Sequence, residues 1–103
     1  MKRPLHEVAH ARAGDKGDRS NISVIAYGPQ DWPLIREQVT VEAVAAAIPW
    51  ATDVTRHELP NLMALNFVVD GALGGGVNAT LALDRHGKTL SSLILDRIEV
   101  DTT

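Results

Sequence analysis

The chain contains no cysteine, which excludes disulfides, thiol catalysis and thiolate metal sites. Aromatic residues make up only 4% of it, so a core must consist mainly of aliphatic side chains. Positive charge is not in excess, because ten basic and thirteen acidic residues give a net charge of −3. A nucleic-acid partner is therefore not expected.

Long apolar runs are also absent, so we expect no membrane span. The N-terminal "MKRPLHEVAH" has no apolar run after its basic residues, so we expect no signal peptide and a cytoplasmic protein. What the sequence does contain is 45% hydrophobic residues over 103 positions, which predicts a single folded domain spanning residues 1–103.

In the first half of the chain, aliphatic and β-branched residues predict strands at Leu5–Ala11 and Asn21–Tyr27. Apolar residues at helical spacing predict a helix over Leu34–Ile48. Asp31 is suited to be its N-cap, and Pro49 ends it.

In the second half, Ala51–Leu59 is rich in residues with high strand propensity, and it predicts a strand at a sheet edge with one face exposed to solvent. Asn61–Leu73 fits a strand and a helix equally well, and its length between a proline and several glycines favours the helix. Alternation predicts a strand over Val77–Asp84, and "RHGK" predicts a hairpin turn. We predict that Thr89–Val100 is the last strand, with a bulge where its alternation slips.

This order of elements, ββαβαββ, predicts an α+β fold. The expected architecture is a two-layer sandwich in which two helices cover one face of a mostly antiparallel sheet. An uncovered sheet face is often hidden by association, so we expect a homo-oligomer when the chain is purified alone.

The stretch "ARAGDKGDRSN", Ala11 to Asn21, is richer in polar residues than a turn between two strands requires. Its chemistry-bearing residues are Arg12, Gly14, Asp15, Lys16, Gly17, Asp18, Arg19 and Asn21. Glycine-freed backbone amides and the basic side chains can bind a phosphate or carboxylate. The oxygens of Asp15, Asp18 and Asn21 can instead bind a magnesium ion, although the neighbouring cations oppose this. The third alternative is a connection stabilised only by side-chain to backbone hydrogen bonds.

Two further features of the sequence can also indicate either a ligand site or a purely structural role. The stretch "GALGGGVN" contains more glycines than a helix end needs. One explanation is that a ligand or another backbone passes close to Gly75 and Gly76. The other is that the stretch is only a flexible turn. Asn66 lies inside the apolar run "ALNFVV", and a buried amide needs a partner, either loop backbone or a ligand.

The four histidines do not single out a catalytic base, and their roles stay open in the sequence. His6 and His10 lie about 13 Å apart if both are in one strand, too far to bind one metal. His57 and His86 stand alone in the sequence.

Together, "ARAGDKGDRSNISVIA", "LPNLMALNFVV", "GALGGGV" and "LDRHGKTLSSLIL" resemble the small domain of the acyclic terpene utilisation (AtuA-like) family over about Val8 to Leu95. The resemblance implies a ferredoxin-like fold. It also implies a role in breaking down branched acids as coenzyme A thioesters, where the full-length protein has a lyase- or hydratase-like assignment. The family's large N-terminal domain is missing here, so the resemblance implies a separately encoded large subunit and little activity of this chain alone.

By position, the family's motif residues correspond to Arg12, Gly14, Asp15, Lys16, Gly17, Asp18, Asn21, Asn66, Gly75 and Gly76. On the basis of this resemblance we expect the polar stretch to bind a small anionic ligand, without a cofactor or metal. Asp15 or Asp18 is the expected catalytic residue, because a carboxylate beside Lys16 ionises easily and then acts as a base. The alternative function is a non-catalytic module that docks a protein partner.

Overall fold

The computed structural model describes residues 1–16, 19–72 and 90–102, and for residues 15 and 16 it describes the backbone alone. The strands in these ranges are β1 (Lys2–Pro4), β2 (Ala9–Lys16), β3 (Arg19–Ala26), β4 (Asp53–Leu59), β5 (Ala64–Asp70) and β6 (Glu99–Asp101). The α-helices are α1 (Trp32–Gln38), α2 (Val41–Ala47) and α3 (Leu90–Arg97), with 3-10 turns at Leu5–Glu7 and Pro60–Leu62.

Four of the strands form an antiparallel sheet in the order β2-β3-β5-β4, and β1 pairs with β6 in a separate two-stranded ladder. Successive side chains of a strand point to opposite faces of its sheet. In β3, Ile22 and Val24 are fully buried, whereas Asn21 is exposed and Ser23 only half-buried. The buried side of the sheet forms one core with the apolar residues of all three helices.

This architecture confirms the predicted fold class, α+β with helices against one face of a mostly antiparallel sheet. The described residues contain three α-helices instead of the predicted two. None of these helices is long and apolar enough to cross a membrane.

The polar stretch Ala11–Asn21 is mostly strand, so its prediction as a loop was wrong. Ala11 to Lys16 continue β2, and β3 begins at Arg19. Cross-strand pairing extends the ladder to Lys16 opposite Arg19, because backbone hydrogen bonds between neighbouring strands outweigh the local turn preference of glycine and aspartate. The predicted strand Leu5–Ala11 likewise begins as a 3-10 turn.

The predicted helix Leu34–Ile48 is divided into two, α1 and α2. Thr40 has extended backbone angles, φ −97° and ψ 169°, and its hydroxyl accepts a hydrogen bond from the Ala43 N–H at 3.1 Å. Thr40 is therefore the N-cap of a new helix rather than part of the first one. Asp31 lies at the predicted N-cap position of α1, but its side chain makes no capping hydrogen bond.

The predicted helix over Asn61–Leu73 was wrong, because Ala64–Asp70 is the strand β5. Both edges of β5 are paired, with β3 on one side and β4 on the other. Leu65, Phe67 and Val69 point into the core at a spacing of two residues. Tertiary pairing on both sides decided between two patterns that fitted the segment equally well.

The predicted last strand, Thr89–Val100, was also wrong over most of its length. Leu90–Arg97 is the helix α3, and only Glu99–Asp101 forms a strand. Leu90, Leu93 and Ile94 are its buried residues, and their spacing is that of a helix. The irregular alternation that suggested a bulge was this helical periodicity. The predicted strand Val77–Asp84 and the turn after it lie outside the described residues.

The strand predicted at Asn21–Tyr27 is confirmed as β3, within two residues at its start. The edge strand predicted at Ala51–Leu59 is confirmed as β4, which is the last strand of the sheet.

Candidate functional site on the open sheet face

The four-stranded sheet has a second face, opposite the helices, which we call the open face. Across its middle, four polar side chains from four different strands lie in one row that crosses the strands. Arg12 of β2 pairs with Ser23 of β3, Ser23 with Asn66 of β5, and Asn66 with His57 of β4. We call these four residues the polar row. Directly opposed residues on neighbouring strands have Cβ atoms about 5 Å apart, so each side chain lies beside the next.

The centre of the polar row is held by a hydrogen bond. The Ser23 hydroxyl donates to the Asn66 Oδ1 at 3.2 Å, and the pair is partly buried. Among the described residues, nothing accepts a hydrogen bond from the Asn66 Nδ2. The bond to Ser23 therefore leaves the two N–H groups of this amide available as donors on the open face.

Arg12 provides positive charge at one end of the polar row. Its side chain is exposed, and no described residue forms an ion pair with it. Two residues further along β2, Gly14 lies opposite Asn21. A Cβ added to Gly14 would have no heavy atom of the described residues within 4 Å, apart from its chain neighbours, so there is open space beside Arg12.

One end of the open face is charged. Arg19 donates from Nε to the Asp70 carboxylate at 2.6 Å. This hydrogen bond raises the pKa of Arg19 above its ordinary value, and the charge of the carboxylate adds to the effect. Asp53 of β4 lies opposite Asp70. The charge of Arg19 is thus matched by a carboxylate, unlike that of Arg12.

The other end of the open face is apolar. The rings of His10 and Tyr27 are stacked with centroids 5.5 Å apart. Tyr27 is 60% exposed, and Leu62, in the turn between β4 and β5, is 65% exposed. Leu59 at the end of β4 is exposed as well. We call Tyr27, Leu59 and Leu62 the apolar end.

A comparison with protein families identified the family of the chain. The model of the AtuA ferredoxin-like domain matches residues 3–100, nearly the whole chain. The chain belongs to that family. Comparisons with curated proteins and with solved structures found no match. The family assignment confirms the resemblance seen in the sequence motifs, and the domain is called the AtuA domain below.

Four of the predicted site residues meet on the open face of the AtuA domain: Arg12, Gly14, Asn21 and Asn66. The first two are in β2, and Asn21 and Asn66 are in the two central strands. Asn66 shares a strand face with Asp70, which lies four residues further along β5. Gly14 lies in regular strand, and Gly71 is the described glycine with positive φ.

Asp15 and Lys16 are in β2, and their backbones pair with Ser20 and Arg19. Ser20 is fully buried, and its hydroxyl has no hydrogen-bond partner among the described residues. The other predicted site residues, Gly17, Asp18, Gly75 and Gly76, lie outside the described residues.

Sequence reasoning missed two members of the polar row, Ser23 and His57. Ser23 is the polar partner of Asn21 in the alternating strand "NISVIA", which was a usable signal. His57 stands alone in the sequence. The register of β4 against β5 places it opposite Asn66. Within the described ranges, no three His, Asp or Glu side chains lie close enough together to hold a metal ion.

Proposed function

We propose that the AtuA domain binds a small anionic group, a carboxylate or a phosphate, at the polar row. The observation that carries the proposal is Arg12, an exposed cation without an ion-pair partner among the described residues, in one row with the free amide donors of Asn66. A guanidinium and neutral N–H donors are the groups that bind carboxylates and phosphates in proteins. Asn21, two residue pairs further along, adds a second exposed amide.

The distribution of charge on the open face supports an anion over a cation. The carboxylates of Asp70 and Asp53 lie four residues along the strands from Asn66 and His57, about 13 Å away. Such a distance exceeds the screening length of about 8 Å at physiological salt, so these carboxylates repel an anion at the polar row only weakly. One of them is also neutralised by Arg19.

In this proposal the chain is the small subunit of an enzyme that processes acyl-CoA thioesters in branched-acid catabolism. A separately encoded large AtuA-like subunit would complete it. The polar row would bind an anionic part of the thioester, and Asp15 or Asp18 would transfer a proton. The support for this part is the family and the resemblance of the motifs. The chain alone is expected to bind without catalysing.

Calorimetric titration with coenzyme A tests the binding site. Arg12→Gln removes the charge, and we expect it to weaken binding about five- to tenfold, as for a partly exposed charge-assisted hydrogen bond. Gly14→Val fills the space beside Arg12, and it should weaken binding without unfolding the sheet, because valine suits a strand. Higher salt should weaken binding by the wild type.

Lys2→Gln is the matched control. Lys2 is an exposed cation in β1, outside the four-stranded sheet, so its loss changes the net charge equally. Binding should be unchanged in this variant. Equal binding of coenzyme A by the wild type, Arg12→Gln and Gly14→Val, with the fold verified by circular dichroism, would place the ligand elsewhere and contradict the proposal.

A second function is a non-catalytic docking module, which the apolar end favours. Large apolar side chains that are exposed on a surface are typical of protein interfaces, and Tyr27, Leu59 and Leu62 are exposed. The partner would be the large AtuA-like subunit, and without it a second copy of the chain would cover the face as a homo-oligomer. Leu62→Ser should then separate the subunits in co-purification, and light scattering should report a monomer. Activity of the pair that survives Arg12→Gln but is lost in Leu62→Ser would favour this function over the first.

A further inference from the structure

We infer that His57 is the second cationic contact of the anion site, so that the site binds its anion more tightly in mild acid. The inference rests on the proposed function and extends it from ligand class to regulation by pH. His57 occupies the end of the polar row opposite to Arg12. The two basic side chains therefore flank the hydrogen-bonded pair Ser23–Asn66.

The spacing of the strands makes the contact possible from both ends. Neighbouring strands are about 4.8 Å apart, so the backbone of Asn66 lies one strand from His57 and two strands, about 10 Å, from Arg12. An arginine side chain is long enough to reach across one strand, and an imidazole reaches its immediate neighbour. An anion bound to the Asn66 amide would therefore touch both.

His57 has no charged immediate neighbour among the described residues of the open face. The helices lie on the other side of the sheet, and the side chains next to His57 on the open face are uncharged apart from the polar row itself. No described carboxylate forms an ion pair with it. The other titratable or charged residues described on this face are His10, Arg12, Arg19, Tyr27, Asp53 and Asp70.

An imidazole changes its charge between about pH 5 and pH 8, the range in which an arginine stays protonated. Below this range the anion faces two cations and above it only one. For charges about 5 Å apart at a wet surface, the added attraction corresponds to about three- to tenfold tighter binding. The sign is fixed by the charge: protonation adds a cation, so binding strengthens as pH falls.

Sulfate is a suitable probe, because it keeps its charge over this pH range and any pH dependence must come from the protein. We would titrate the wild type, His57→Gln and His10→Gln with sulfate at pH 5.5 and pH 8 in low salt. The wild type should bind about three- to tenfold more tightly at the lower pH. His57→Gln should lose this dependence and bind sulfate equally at pH 5.5 and pH 8.

His10→Gln is the matched control, because His10 is a titratable ring on the same face but outside the polar row. It should keep the full dependence. Three outcomes would overturn the inference about His57 without touching the proposed anion site. The pH dependence of sulfate binding could survive in His57→Gln, it could disappear in His10→Gln, or it could be absent from a wild type that binds sulfate. No sulfate binding by the wild type at either pH would overturn the proposed anion site as well.

A readout on the wild type avoids any effect of substitution on folding. Binding and protonation are reciprocal, so sulfate should raise the pH at which the ring resonances of His57 titrate in NMR spectra. The ring resonances of His10 should move less. Equal movement of both rings, or none, would contradict a direct contact with His57.

Discussion

The side chain of Arg56 makes a specific prediction about the stability of the strand that carries His57. Arg56 is in β4 and donates to two backbone carbonyls near the end of α1, to Arg36 O at 2.6 Å and to Val39 O at 2.9 Å. Only 16% of its side chain is exposed. It therefore satisfies carbonyls that the break between α1 and α2 leaves without helical partners.

Replacing Arg56 by Met keeps most of the apolar stem and removes the donors. Two hydrogen bonds from a charged group at a mostly buried position contribute about 1–1.5 kcal/mol each, so we expect the free energy of unfolding to fall by about 2–3 kcal/mol. For a chain of this length that lowers Tm by about 10–15 °C. Urea and thermal denaturation followed by circular dichroism measure both quantities.

Arg36→Met is the control for this prediction. The Arg36 side chain is 60% exposed and forms an ion pair with Glu58 at 3.2 Å, while its carbonyl, the acceptor for Arg56, is retained in the variant. An exposed ion pair of this kind contributes little, so the control should lose less than about 0.5 kcal/mol. If Arg56→Met is as stable as Arg36→Met, the carbonyls of α1 do not depend on Arg56 and the reasoning is wrong.

Two further predictions concern backbone conformation and capping. Gly71 has φ +73°, and a Cβ there would lie 2.8 Å from the Thr52 backbone nitrogen. Gly71→Ala should therefore lower the free energy of unfolding, measured by urea denaturation, by about 2 kcal/mol or more. Gly14→Ala is the control and should stay within about 0.5 kcal/mol of the wild type. Equal stability of the two variants would show that Gly71 is not strained. Thr40→Ala removes the N-cap of α2 and should lower the free energy of unfolding by about 1 kcal/mol, with less helical signal near Tm if α2 frays first.

The candidate site was partly visible in the sequence. Arg12, Gly14 and Asn21 are close together in the chain, and an asparagine in an apolar run drew attention to Asn66. His57 could not be found in this way, because its only link to the others is the register of β4 against β5. A shift of that register by one residue would place His57 on the core face.

Local composition was sufficient to determine some features of the AtuA domain. The α+β class, the strand β3, the edge strand β4 and the concentration of polar residues near Gly14 all follow from patterns within a few neighbouring residues. These patterns are reliable because β-branched runs and alternating polarity act within a single strand.

Only the tertiary structure decided which periodicity prevailed at Asn61–Leu73 and Thr89–Val100. β5 became a strand because β3 and β4 offered hydrogen bonds along both of its edges. Leu90–Arg97 became a helix whose buried leucines complete the core against the sheet. The polar row has the same origin, since four residues that are distant in sequence form one site only when four strands pair in one register.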